Sequence, residues 1–196
     1  MSNIWISQAQ GLDRAVAKVA DWFRRNADRY DQRALLAPQK NNLRSPKPAL
    51  AQYISNKNVG SRKGTQANAG GPVLAYVPTL EVLEDAIHLA DGQALGVVEW
   101  VPGEMSGWAA ATNALDLETG EPTPGVPPDI AAALEDLHRA GYNGYGRSKE
   151  TYFKNLYTPP IRTLVESGYA FDFVASYLVA LGRHASSMDD LKKIYK

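Results

Sequence analysis

Glu84, Asp85 and His88 fall one turn apart in the helical segment 79–91, the one place where a histidine has carboxylates at both i−4 and i−3. That spacing gathers an imidazole and two carboxylates on one helix face, as in a metal site or a tuned general base. It is also the spacing of an ordinary solvated pair. Glu99 ends the apolar run Ala94–Val98, so it emerges from a buried strand, where desolvation raises a carboxylate pKa. A small hydrolase-type enzyme would work through Glu99 or His88, with Lys40 converging on them. His138 and His184 have no partner identifiable from spacing.

Two glycine-rich stretches invite comparison with phosphate cradles. Gly60-Ser-Arg-Lys-Gly-Thr65 places its lysine before the second glycine and runs toward a strand, whereas a P-loop needs Gly-Lys-Ser/Thr leading into a helix. It is a solvated loop, or one whose amides, with Arg62 and Lys63, contact a phosphate. Gly141-Tyr-Asn-Gly-Tyr-Gly146 reads as a turn between helices. Around it Tyr142, Tyr145, Arg147, Lys149, Tyr152 and Lys154 interleave rings with cations, as in single-strand nucleic-acid sites, although tyrosines packed on a neighbouring lobe are the commoner explanation of such a pattern. With 0 Cys, disulfides, thiolate metal sites and cysteine nucleophiles are excluded.

A zero formal net charge conceals a strong polarity. Residues 1–72 hold 12 basic and 4 acidic side chains, residues 73–136 hold none and 12, and residues 137–196 hold 9 and 5. Such fields steer partners. The basic set Arg24, Arg25, Arg29, Lys40, Arg44, Lys47, Lys57, Arg62 and Lys63 would contact phosphates without reading sequence. The acidic face 81–121 would repel nucleic acid and attract a basic partner, a second copy or the basic part of the same molecule.

These residues need elements to hold them. Ser7 and Gln10 have capping-box spacing, which predicts a helix from about residue 8 to Tyr30 with Leu12, Val16, Val19 and Phe23 inside. Arg33–Pro38 reads as a strand, Pro48–Ile54 as a short helix and 56–71 as a basic loop. Pro72–Val77, a helix over 80–90 and Ala94–Glu99 form a βαβ unit. A short helix over Trp108–Ala114 and an edge strand in Leu115–Glu121 follow, then helices over 129–140, 148–157, 160–167, 170–181 and 188–195, with glycines 141, 168 and 182 as C-caps and Ser187 with Asp190 as a capping pair. The expected fold is α/β. A small, mostly parallel sheet with flanking helices, three-layer-like, occupies 1–127, and a helical C-terminal lobe, 128–196, packs on it or merges with it into one domain.

In an open parallel sheet, ligands bind outside the carboxyl ends of the strands. Those ends lead into Gln39, Lys40 and Asn41, then Thr79 at a helix start, then Glu99 and Trp100, which together outline a ligand cleft. The run Pro72–Val82 resembles in outline the strand–Pro-Thr–helix segment of helicase-type domains, but their phosphate loop and metal-binding acidic strand are absent, so no function follows from it. The reading from sequence is a non-catalytic binding or accessory protein that contacts nucleic acid or another polyanion. An assembly protein with opposed patches comes second and the hydrolase third. No cofactor, metal or membrane partner is expected. The N-terminal residues lack the pattern of a signal peptide, which makes a cytoplasmic location the default expectation.

Overall fold

The structure is a computed structural model, and it describes residues 2–8, 11–62, 66–146 and 150–196. Strands β1 (Asn3–Ser7), β2 (Ala34–Ala37), β3 (Val59–Ser61), β4 (Val73–Tyr76), β5 (Leu95–Glu99) and β6 (Leu115–Asp116) form one sheet in the order β3-β2-β4-β5-β1-β6. Every ladder in it is parallel. Every residue of β2, β4 and β5 is buried, which is why their sequences are apolar runs rather than alternating ones.

The chain order decides which face each helix covers. From β1 through β2 to β3 the strands move toward one edge of the sheet, and from β4 through β5 to β6 they move toward the other. Right-handed crossovers convert that reversal into helices on opposite faces. Helices α1 (Leu12–Asn26) and α2 (Pro48–Tyr53) bury Val16, Val19, Phe23, Leu50 and Tyr53 against Ile4, Ile6, Leu35, Leu74 and Val98. On the other face α3 (Leu80–Ala90) and α4 (Ser106–Thr112) meet Leu36, Val73, Ala75 and Val97. Helices α5 (Pro128–Ala140), α6 (Thr151–Glu166), α7 (Phe171–Ala180) and α8 (Met188–Ile194) join that second cluster, so 128–196 shares one core with α3 and α4. Fully buried side chains such as Phe23, Leu83 and Leu134 contribute roughly 1.5–3 kcal/mol each by leaving water.

Each face depends on a glycine at a close approach. A Cβ on Gly96 would lie 2.8 Å from Phe23 Cζ and 2.9 Å from Val19 Cγ1, so β5 leaves room for α1. A Cβ on Gly107 would lie 1.8 Å from the Phe173 carbonyl oxygen, so α4 and α7 cross almost backbone to backbone.

Several expectations are corrected. Residues 3–7 are a strand, and α1 starts at Leu12 and stops at Asn26, with Gly11 rather than Ser7 at its N-cap. Ile4 and Ile6 point into one cluster while Trp5 packs against the other, and this period of two outweighs the capping-box spacing. Gln10 lies outside the described residues. The 56–71 loop contains edge strand β3, whose Gly60 is needed because a Cβ there would sit 2.4 Å from Leu36 Cδ2. The two helices expected at 148–157 and 160–167 are one, α6, running through Pro159 and Pro160. The carbonyls left without their helical N–H donors belong to Asn155 and Leu156, both exposed, where water replaces the lost bonds. Gly141 does not adopt the left-handed C-cap conformation, unlike Gly168 and Gly182, and the Ser187 hydroxyl donates to the His184 carbonyl instead of capping α8.

Candidate ligand site at the carboxyl edge of the sheet

Neighbouring strands β2 and β4 send their outgoing connections in opposite directions, toward β3 and β5 respectively. Diverging connections leave a crevice at the carboxyl ends of the strands, and a cavity of about 530 Å³ lies there. Pro38 after β2 and Val77-Pro78-Thr79 after β4 form its floor, Trp100, Glu104 and Met105 come from the β5–α4 loop, and α7 and α8 close the far side.

The floor is strained. Val77 has φ +44°, a left-handed conformation that a β-branched side chain rarely adopts and that costs on the order of 1–3 kcal/mol. The bond from its N–H to the Val98 carbonyl (2.8 Å) and its burial hold it there. The kink turns the chain through Pro78 to Thr79, whose hydroxyl accepts from the Val82 N–H (3.4 Å) and caps α3.

Carboxylates dominate the walls. Glu104, Asp172 and Asp189 line the cavity with a single cation, Lys192, whose ammonium lies 5.5 Å from the centre of the Phe171 ring. Asp172 and Asp189 occupy the first turns of α7 and α8, where the helix dipole favours negative charge. A fourth carboxylate, Glu81, is held by Arg62 at 2.7 Å. Burial opposes its ionisation, but hydrogen bonds from the Thr79 hydroxyl and its own N–H, with the Arg62 guanidinium, outweigh that and lower its pKa. Trp100 stands at the mouth with 52% of its surface exposed, and the Gln8 amide holds its carbonyl (2.5 Å).

Glu99 lies behind this wall rather than in it. It is 1% exposed, its two carboxylate oxygens accept from the N–H groups of Gly103 (3.0 Å) and Met105 (3.2 Å), and it braces the loop that presents Glu104. Burial raises its pKa against those two bonds, and Glu104 and Asp116 raise it further. Of the expected cleft residues the structure therefore brings Thr79 and Trp100 into the crevice. Gln39 and Asn41 sit just beyond Pro38, Asn41 within a 3-10 turn over Lys40–Leu43, and line no cavity described here. The Lys40 side chain lies outside the described atoms.

His88 lines a separate cavity of about 440 Å³ with Ser61, Arg62 and Asp85, so it shares no cavity with Glu99. Burial, then Glu84, raises the Asp85 pKa. Glu84 turns away to the C-terminal helices, accepting from the Ala185 N–H (2.9 Å) and pairing with His184 Nδ1 (2.8 Å). Arg183 donates to His138 Nδ1 (3.3 Å) and to the Gly141 carbonyl (2.7 Å). Among the described residues no group of three or more acidic or histidine side chains could hold a metal, and no helix is long and apolar enough to cross a membrane.

The basic set divides. Arg24 and Arg25 pair with Asp21 within α1, and Arg62 is engaged by Glu81. Arg29, Arg44, Lys47 and Lys57 are exposed, with no ion pair among the described residues. Lys63 lies outside the described residues, as do Arg147 and Lys149. Residues 139–146 and 150–154 border α5 and α6, on the opposite side of the sheet from α1 and α2. Tyr145 and Tyr157 are core side chains meeting edge-on at 5.4 Å, while Tyr142 and Tyr152 face solvent. Sequence reasoning missed Glu104, Phe171, Asp172, Asp189 and Lys192. Four of the five come from helices whose approach to the sheet edge no local pattern announces. Compared with known proteins, the chain matches no family model, no curated protein and no solved structure.

Proposed function

We propose that this is a binding protein that seats a small organic cation, such as an amine or ammonium compound, in the crevice at the carboxyl edge of the sheet. The observation that carries the reading is the lining: an exposed indole beside carboxylates that outnumber the one lysine. A cation over an indole face gains about 0.5–2 kcal/mol, and carboxylates in excess of the one lining lysine supply the field. The same field disfavours a polyanion here. Amines such as spermidine, choline and arginine, titrated against small anions, test it. Amines quench Trp100 fluorescence with saturation, and Trp100→Ala and Asp189→Asn each weaken binding at least about fivefold. Anion-selective quenching, or none by any amine at millimolar concentration, would overturn the reading.

A second reading, polyanion contact, is favoured by a specific feature of the other face. Residues 12–53, which carry α1 and α2, hold 9 basic and 4 acidic side chains. Nucleic-acid binding through Arg29, Arg44, Lys47 and Lys57 would fall with salt at about 0.7–0.9 log units per phosphate contacted. Absence of binding at low salt removes this reading. The acidic and basic segments also dock within one molecule, through Arg62–Glu81 and through Lys18–Glu118 at 3.3 Å. An assembly role would therefore rest on the charges those pairs leave over, and sedimentation as a function of salt tests it.

A further inference from the structure

The largest cavity described, about 710 Å³, shares no lining residue with the crevice and lies between one flank of α6 and residues 194–196. Its lining on α6 repeats at helical spacing: Lys154, Tyr157 and Thr158, Ile161 and Arg162, Val165 and Glu166. Tyr157 and Ile161 form a buried apolar floor, Val165 and Ile194 continue it half-exposed, Lys154 and Arg162 stand exposed on the α6 rim with one carboxylate, Glu166, and exposed Lys196 adds a further positive charge to the lining. Neither rim cation is ion-paired among the described residues. They are eight residues apart, about 12 Å along the helix axis at 1.5 Å per residue. That is too far for one anionic group to engage both through hydrogen bonds near 3 Å. An apolar trough the length of a helix, with positive charge at two-turn spacing, complements an amphipathic helix whose carboxylates recur at the same spacing beside an apolar ridge.

We infer that this groove is the docking surface for an acidic amphipathic helix of another protein. A single-tailed anionic amphiphile would satisfy one rim cation and leave the other unpaired. A second copy of this chain offers no suitable helix in α5, whose Asp129 and Asp136 are seven residues apart but whose exposed residues between them are Ala132 and Glu135, with no apolar ridge.

The test uses the full chain and a fluorescein-labelled peptide of about 20 residues, long enough to hold a helix, with leucines along one face and glutamates two turns apart on its flank. Anisotropy should show saturable binding, at least about tenfold tighter than for the same peptide with lysine in place of glutamate. Lys154→Glu combined with Arg162→Glu should reverse that preference, and Val165→Ser should weaken both peptides severalfold while thermal melting shows each variant folded. Equal binding of the two peptides, no saturation by the acidic peptide at about 100 μM, or an unchanged preference in the double variant overturns the inference. Saturable binding of dodecanoate without binding of the peptide also overturns it, in favour of a small amphiphile.

Discussion

The two faces of the sheet are sealed in different ways. On the α1–α2 face the helices connect strands and lie directly on them. The glycine there, Gly96, yields space to two side chains, Phe23 and Val19, that can rotate. On the α3–α4 face a second set of helices closes over the first, and Gly107 meets a backbone carbonyl that cannot. The crevice opens where α3, α7 and α8 meet the sheet edge, on the second face. A layer built from distant chain segments is both the less tolerant of change and the one that supplies most of the candidate ligand groups.

Substituting the two glycines is the sharpest way to break that comparison. Gly107→Ala should cost about 3 kcal/mol or more, because α7 must shift, while Gly96→Ala should cost about 1–2 kcal/mol as Phe23 and Val19 repack. Urea unfolding of the two variants measures both, and equal losses would show the faces to be equally adaptable. Next in size is Glu99→Gln, which replaces one of two acceptor oxygens by a donor facing a backbone N–H. We expect a loss of about 1–3 kcal/mol, together with weaker amine quenching of Trp100 as the Glu104 loop loosens.

A smaller effect belongs to His138, which binds the end of α5 to Arg183. Burial, with the Arg183 charge, lowers its pKa from the ordinary value of 6.5. A histidine depressed in the folded state contributes stability that is complete above the unfolded pKa and is lost as pH falls through the folded one. The urea midpoint should therefore drop between pH 7.5 and pH 5 by more in the parent chain than in His138→Gln, and parallel curves would remove His138 from the acid response. Smallest of all, Arg62→Ala breaks a half-exposed pair and should change stability by less than about 1 kcal/mol.

The sequence reveals the strands buried on both faces and the helix between β4 and β5, because apolar runs and a 3.6-residue stripe are local signals. It also places Thr79 and Trp100 at strand ends. It hides β1, whose Ile4-Trp5-Ile6 is too short to outweigh the capping-like Ser7 and Gln10. It hides β3 as well, where Val59-Gly60-Ser61 looks like loop until Leu36 is known to press on Gly60. The prolines at 159 and 160 suggest a break that exposure to water makes unnecessary. Glu104, Asp172, Asp189 and Lys192 converge only through tertiary packing, and surface carboxylates carry no mark of the cavity they will line.

The position of β1 has a consequence for biosynthesis. This first strand hydrogen-bonds on one side to β5, with Asn3 opposite Leu95, and on the other to β6, with Ile4 opposite Leu115. While the chain is being made, Ile4 and Ile6 therefore leave the ribosome with neither edge of their strand paired, and they wait until residues beyond 115 have emerged. Long-range parallel pairing forms slowly and leaves open edges prone to aggregation in the meantime. The nascent chain is thus most vulnerable until the residues of β6 have emerged, and insertion of β1 between β5 and β6 is the event that ends the exposure.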